Sequence, residues 1–522
     1  MSRLALGLLT LLAALLRWQR IDAREAWLDE ACSAWFAAAP DVAGVLERLA
    51  VDAHPPLHSL LLHGWIAVFG SGEIALRMPS LLAGAALVPV VAWLVAEARG
   101  SRGAGLCAAT FAALSPWLLH YGTEARAYAG LALLGGLALA AALRLQRTGS
   151  TAALTGAAAA TLAALFLHHY GVFVLPVLAL AVALGPADAR RRGALALLGV
   201  IALWGPWLLG AAGGQQASSA WLQAYWHGIG AALWQSAGVL AHHVPLPAHL
   251  GPLGQLTLAA PLAAIVALWL GAPTLLALAG LRDTDARHGR LLLLVALLGP
   301  TLGAALVSAW LRPIALPGRY DILAAPAFLG LWALGLDTAW NWLRARFDLD
   351  ERAPSGATAA GILTTALACA ALTAPLLALP PEPRPHRDVA AALAEAPADA
   401  PLVVVGLLRA PLALQLTLRG DGRALHSLPS GVAQHPGWTD AAERSADALQ
   451  ADVAGLRATL ANEAEVWLAV PLDDAGMPLE RAATAAAFAL VRAVGLTPGP
   501  PRTFPGIGLV RCRRVATAAW IP

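Results

Sequence analysis

The chain has 522 residues, of which 58% are hydrophobic and only 13% charged, and its mean hydropathy is +0.65. Soluble globular proteins carry about a quarter charged residues, so this composition excludes one and defines a polytopic membrane protein. The formal net charge of +3 is too small for a nucleic-acid partner.

There is no lysine, so all 35 basic residues are arginine; with so much alanine this is read as a coding bias. The four cysteines, Cys32, Cys107, Cys369 and Cys512, have no metal or redox spacing. A disulfide between Cys32 and Cys512 would require both to face outward.

At the N-terminus, Leu4 to Leu16 has the short apolar core of a secretory signal. Arg17, Trp18 and Arg20 then stand where a small-residue cleavage site belongs, so this is an uncleaved first span. The outward loop 18–77 follows, with eight acidic residues between Asp22 and Glu73. Asp29 and Glu30 lie among Trp27, Trp35 and Phe36, near a partly apolar surface where carboxylate proton affinity can be tuned. His54 precedes the stiff Pro55-Pro56 pair and is held at a fixed turn.

Apolar runs recur near residues 78–96, 104–120, 128–143, 151–168, 170–185, 193–211, 256–281, 291–311, 321–340 and 358–379. With the first they make about 11 spans, each near the ~20 residues that cross the hydrocarbon core. Arg99 and Arg102, Arg144 and Arg147, Arg190 to Arg192, Arg282, Arg287 and Arg290, and Arg344, Arg346 and Arg352 fall in every second connection. These are cytoplasmic loops by the positive-inside rule, which places the N-terminus inside. Counting 57–77 as a span would reverse that alternation. It is therefore read as an interfacial helix on the outer leaflet, with His58, His63 and Trp65 near the headgroups.

Residues 212–255 form an outward loop without a charged residue, carrying Trp221, Tyr225, Trp226 and Trp234. It is either an aromatic membrane anchor or a substrate lid. After the membrane domain 1–380, prolines 380, 381, 383 and 385 make a stiff linker into a domain spanning 381–522. There 402–408 and 466–470 read as buried strands, and 440–461 and 479–494 as helices. The fold class is thus an all-α polytopic membrane protein with a small extracytoplasmic α/β domain.

The spans hold almost no ionisable residues at mid-depth, unlike proton-coupled transporters. Polar groups gather at the outer span ends instead. LSPWLLHYGTEARAY places His120, Tyr121, Glu124, Arg126 and Tyr128 at one junction; His168, His169 and Tyr170 form the next; LRPIALPGRYD places Arg312, Arg319, Tyr320 and Asp321 at another. Each alone has a structural explanation: a snorkelling arginine, an interfacial ion pair, a capped hairpin. Together, carboxylates remove a proton from an attacking group and arginines stabilise charge on a departing phosphate. Nucleotide-activated sugars are not expected outside the cytoplasm, so a group donor carried on a membrane lipid phosphate suits this depth.

The early DE pair, HPPL, RMPS, LSP…YGTEARAY and the late RY together resemble the polyprenyl-phosphate-sugar-dependent glycosyltransferases of the GT-C fold. The branch is similar to glycosyltransferase family 39, which includes protein O-mannosyltransferases and the lipid A aminoarabinose transferase. The resemblance covers about the first 340 residues. It implies an inverting enzyme of the bacterial inner membrane, with Asp29 as general base and Glu30 orienting the acceptor or a metal. Arg77, Glu124, Arg126 and Tyr128 would contact donor phosphate or sugar, and Arg319 and Tyr320 the lipid phosphate. The partners implied are a polyprenyl-phosphate-linked sugar, membrane lipids, and a glycan, lipid or protein acceptor.

The resemblance leaves a divalent cation open, since relatives differ on it. His54, His168 and His169 are read as ligands, substrate contacts or packed side chains, and their spacing matches no closed metal motif. The alternatives to a transferase are a lipid or polysaccharide transporter without transfer chemistry and a non-catalytic assembly subunit.

Overall fold

A computed structural model describes residues 3–50, 52, 54–218, 220–242, 271–278, 281, 284–347, 354–435, 445–473, 476, 477 and 479–514. The chain divides into two compact units. The first comprises Met1–Ile21, Ala53–Leu61 and Arg77–Pro380; the second comprises Asp22–Asp52, Leu62–Leu76 and Pro381–Pro522. Much of the 18–77 segment therefore folds with the C-terminal residues, hundreds of positions downstream.

The helices in chain order are α1 (Arg3–Arg20), α2 (Leu28–Ala37), α3 (Val42–Leu49), α4 (Leu57–Phe69), α5 (Glu73–Glu97), α6 (Arg102–Leu114), α7 (Pro116–Tyr121), α8 (Tyr128–Thr148) and α9 (Thr151–Leu167). They continue with α10 (Leu175–Leu184), α11 (Ala187–Ser218), α12 (Ile229–His242), α13 (Thr284–Leu298), α14 (Ala304–Trp310), α15 (Ala325–Phe347) and α16 (Pro354–Ala378).

Among the described residues, five helical stretches are long and apolar enough to cross a membrane: Glu73–Glu97, Tyr128–Thr148, Ala187–Gly210, Arg287–Trp310 and Tyr320–Phe347. Two other predicted spans are built from broken pieces. The run 104–120 divides because Ser115 leaves the helical region and caps α7, its Oγ accepting from Leu118 N at 3.2 Å, with Pro116 at the first helical position. The run 170–185 begins as a 3-10 turn, His169–Val174, before α10.

Two readings of the connections change. Residues 57–77 are not one interfacial helix: α4 ends at Phe69, and Glu73 to Arg77 form the opening of α5. At 13 residues α4 is about 20 Å long, too short to span. His63 and Trp65 do not turn their polar tips to headgroups; Nδ1 of His63 bonds Ala37 O at 2.8 Å, and Nε1 of Trp65 donates to Ala75 O at 2.8 Å. The loop predicted at 212–255 is helical over α11 to Ser218, a 3-10 turn at Ala220–Tyr225, and α12. Its part 243–255, and the predicted span 256–281 apart from 271–278 and 281, lie outside the described residues.

The first unit packs as membrane helices do, through alanine-rich faces with aromatic wedges. Phe111 on α6 meets Trp332 on α15 edge to face, ring centroids 5.0 Å apart, both fully buried. α11 is apolar around its circumference, yet Leu195, Leu198, Ile201, Leu203 and Leu209 are left exposed. A helix apolar on every side and uncovered by protein is matched to lipid.

The second unit is an α/β domain. α17 (Pro385–Leu393) precedes β1 (Leu402–Val405), α18 (Arg409–Leu418), β2 (Leu425–Leu428), α19 (Ala446–Leu460), β3 (Glu465–Pro471), α20 (Arg481–Ala493), β4 (Thr497–Phe504) and β5 (Ile507–Arg513). The sheet order is β2-β1-β3-β5-β4; the first three strands are parallel, and β5 and β4 are antiparallel additions. Side chains of α17 and α18 pack on one face with Leu402, Val404 and Ala469, and those of α19 and α20 on the other with Val403, Val405 and Leu468.

The strand predicted at 402–408 stops at Val405, because Gly406 takes φ +62° and turns the chain. Of the helix predicted at 440–461, α19 forms 446–460, and 440–444 lies outside the described residues. Cys32 and Cys512 are both buried and form no disulfide. Cys512 lies on β5 opposite Val466, within the apolar core, where no bridge is needed to hold it.

Acidic residues of the 18–77 segment tie this unit together. Glu25 Oε1 bonds His386 Nδ1 at 2.6 Å and His386 N at 3.2 Å, and Oε2 accepts from Arg387 N at 3.1 Å. Arg384 at the N-cap of α17 offers no side-chain cap, so a carboxylate from 361 residues upstream performs that task. Asp22 pairs with Arg384 at 3.2 Å and Arg387 at 2.9 Å. Burial pushes the Asp22 carboxyl up, but the hydrogen bonds and charge of Arg387 and Arg384 outweigh it and hold it below its ordinary range. Glu73 pairs with Arg387 and accepts from Gln415 Nε2 at 2.9 Å, and Asp52 bonds His435 at 3.2 Å.

Candidate functional site

The first unit collects the polar span ends into one buried group. The turn from α7 to α8 carries Glu124, Arg126 and Tyr128. Its shape is fixed locally by Thr123 N bonding His120 O at 3.0 Å, Arg126 N bonding Glu124 O at 2.8 Å, and Ser80 Oγ donating to Arg126 O at 3.1 Å. Glu124 Oε1 lies 3.3 Å from His120 Nε2, one helical turn back, with both side chains buried.

Arg126 Nη2 is 3.1 Å from His54 Nε2, and its guanidinium carbon is 5.7 Å from the Tyr128 ring centre. Arg319 approaches the same ring: Nε donates to Tyr128 Oη at 2.6 Å, and the guanidinium carbon is 5.2 Å from the ring centre. Two arginines, each only 9% exposed, thus converge on one phenol. His168 fills the adjoining space, its ring centre 4.9 Å from Tyr320, 5.9 Å from Tyr128 and 6.0 Å from His54.

Arg319 is aimed by the turn before it. Gly318 takes φ +81°, a conformation that favours glycine, and its carbonyl accepts from Trp117 Nε1 and Tyr121 Oη, each at 2.8 Å. Asp321 Oδ1 accepts from Gly318 N at 2.8 Å and closes the loop. The guanidinium therefore stands on a rigid support. Arg77, 1% exposed, donates Nη1 to Ile21 O at 2.8 Å and anchors the chain at the end of α1.

Histidine behaviour follows from burial. Burial, helped by the charge of Arg126, pushes the His58 imidazole down to about 3, although a hydrogen bond with the Ala125 backbone opposes the shift. The sequence places His58 near headgroups; in the structure its imidazole lies where the charges of Arg126 and His54 act on it.

Asp29 and Glu30 belong to the second unit, in the first turn of α2, where the helix dipole favours negative charge. Glu30 is 1% exposed, whereas Asp29 is half-buried.

The residues do not assemble a metal centre: among the described residues, no group of three or more His, Cys, Asp or Glu side chains is placed to hold a metal ion. Two of the imidazole nitrogens are engaged elsewhere. His54 Nε2 accepts from Arg126, and His168 Nδ1 accepts from Tyr170 N at 3.1 Å. His169 opens the 3-10 turn beside them.

No protein-family profile matches the sequence, and no curated protein matches it. Solved structures do. ArnT from Cupriavidus metallidurans, bound to undecaprenyl phosphate, superposes with a TM-score of 0.57 at 16% identity over 99% of both chains. The apo form of that protein gives the same score and identity over 98% of each chain. The oligosaccharyltransferase of Archaeoglobus fulgidus superposes with a TM-score of 0.51 at 11% identity, covering 90% of this chain and 70% of that one.

The chain has the GT-C fold. In this GT-C protein the residues missed in the sequence are those with distant partners. Nothing local marks Glu25 as the cap of α17, or Tyr121 and Trp117 as supports of the Gly318 turn. His120 stood at a noted junction, and its spacing of four from Glu124 is the signal that predicts their contact.

Proposed function

We propose that this protein is a membrane glycosyltransferase that moves a sugar from a polyprenyl-phosphate-linked donor to an acceptor on the extracytoplasmic side, with inversion. The observation that carries this reading is the pair of buried guanidiniums, Arg126 and Arg319, gathered on Tyr128. Two desolvated positive charges held on rigid supports match an anion whose charge grows during the reaction. The ArnT structure of the same fold is bound to undecaprenyl phosphate, which supports a lipid phosphate as that anion here.

In this reading an acceptor hydroxyl attacks the anomeric carbon as Asp29 takes its proton. The bond from that carbon to the phosphate oxygen breaks, and the electron pair leaves with the polyprenyl phosphate. Arg126 and Arg319 stabilise the departing phosphate, with Tyr128 and Tyr320 holding them in place. Glu30 orients the acceptor, Glu124 contacts the donor sugar, and Arg77 supports the donor side. His54, His168 and His169 serve as substrate contacts or packing around Arg126.

The test is transfer of radiolabelled sugar from a polyprenyl-phosphate donor by the full-length chain in lipid. Transfer by the wild type with none by Asp29→Asn supports the reading. Near-normal turnover by Asp29→Asn removes the aspartate from its role, and donor affinity unchanged in Arg319→Ala removes the arginine from the phosphate.

A further inference from the structure

The second unit contains a cavity of about 520 Å³ that the donor chemistry does not use. Its position follows from the strand order. β1 leads into α18 on one face of the sheet, whereas β3 leads toward α20 on the other. The two chains leave the carboxyl ends of adjacent parallel strands in opposite directions and open a crevice between them. This is the topological switch point at which open α/β sheets bind ligands. The cavity lies there, with Leu408 and Pro411 after β1 on one side and Pro471 and Glu480 after β3 on the other.

The remaining wall comes from the segments 24–28 and 382–386, including the paired Glu25 and His386 and, immediately before the Asp29-Glu30 pair of α2, Trp27 and Leu28. The two sides meet closely: a side chain at Gly406 would overlap the Glu480 carboxylate.

We infer that this crevice is a saccharide site that seats the acceptor. Its walls are stiff and apolar, an indole with leucines and prolines, which suits the C–H face of a sugar ring. Arg24, Glu382 and Glu480 also line it and supply donors and acceptors for hydroxyls. An acyl chain would take those charged groups out of water and offer them no hydrogen bond in return. The volume lies within the roughly 300–1,000 Å³ range of small-molecule sites. A sugar resting on Trp27 would lie on the segment that leads into α2, the helix that carries the proposed base Asp29.

The acceptor role rests on the transferase reading, and the experiment separates the two. The full-length chain in lipid nanodiscs is titrated with a panel of methyl hexosides and methyl hexosaminides, read by saturation-transfer NMR. At least one member should bind the wild type, with its ring C–H protons saturated most strongly. Leu408→Trp, which fills the crevice, should weaken that binding at least tenfold. Glu480→Gln should weaken it several-fold, and both variants should retain undecaprenyl phosphate as the wild type does. No binding by any glycoside, or equal binding by wild type and Leu408→Trp, overturns the site. Glycoside binding with no lipid-linked transfer overturns the acceptor role and leaves a saccharide site. Transfer that persists undiminished in Leu408→Trp overturns the crevice as the acceptor's seat while the transferase reading stands.

Discussion

Asp29 and Arg319 are assigned different work, and single substitutions separate them. Asp29→Asn keeps shape and removes the proposed base, so turnover should fall about 10²–10⁴-fold with the protein still folded in the membrane, measured by initial rates of transfer. Arg319→Ala removes one of the proposed phosphate contacts and should lower kcat/KM by about 10²-fold, or roughly 3 kcal/mol, chiefly through the donor. His58 makes a pH prediction. Its imidazole titrates near 3 when folded and 6.5 when unfolded, so the unfolded chain binds more protons between those values. Its stabilising effect is complete above pH 6.5 and declines as pH falls toward 3. The thermal midpoint should therefore drop from pH 7 to 4.5, and His58→Gln should flatten that drop. At this scale Arg126, Tyr128 and Arg319 were legible because polar residues at the ends of apolar runs have few other places to go. Asp22, Glu25 and Glu73 were legible only as acidity, because their partners lie 342 to 365 residues away.

Elements carry their own tests. Glu25 caps α17 from outside the helix, so Glu25→Ala should cost about 1–2 kcal/mol, as lost caps do. A lowered unfolding midpoint of the α/β unit, partly recovered in Glu25→Gln, would report it. Gly406→Ala imposes a left-handed backbone on a residue with Cβ and crowds Glu480. It should destabilise by about 1–3 kcal/mol. The strands β1 and β3 were readable as short apolar runs. β4 was not, because Pro498, Pro500 and Pro501 argue against a strand; the sheet tolerates them because β4 is at its edge. The single helix read over 57–77 failed at Gly70, Ser71 and Gly72, where hydropathy is silent about the break between α4 and α5.

For the whole molecule, hydropathy identified a membrane protein and the ordered motifs pointed to its fold, since both depend on local composition. The division into units was not legible, because it depends on contacts between distant segments. A transporter reading predicts lipid-linked substrate crossing proteoliposomes without transfer; the transferase reading predicts none above protein-free vesicles. The Glu25 clamp also bears on how the chain is made. Residues 22–52 leave the ribosome long before α17 exists, so during most of translation this stretch lacks the helix it is built to hold. Biogenesis must shelter an incomplete, acidic, tryptophan-bearing segment until synthesis nears its end. Nascent chains released at Pro380 should then be nicked by protease within that segment, while finished chains resist.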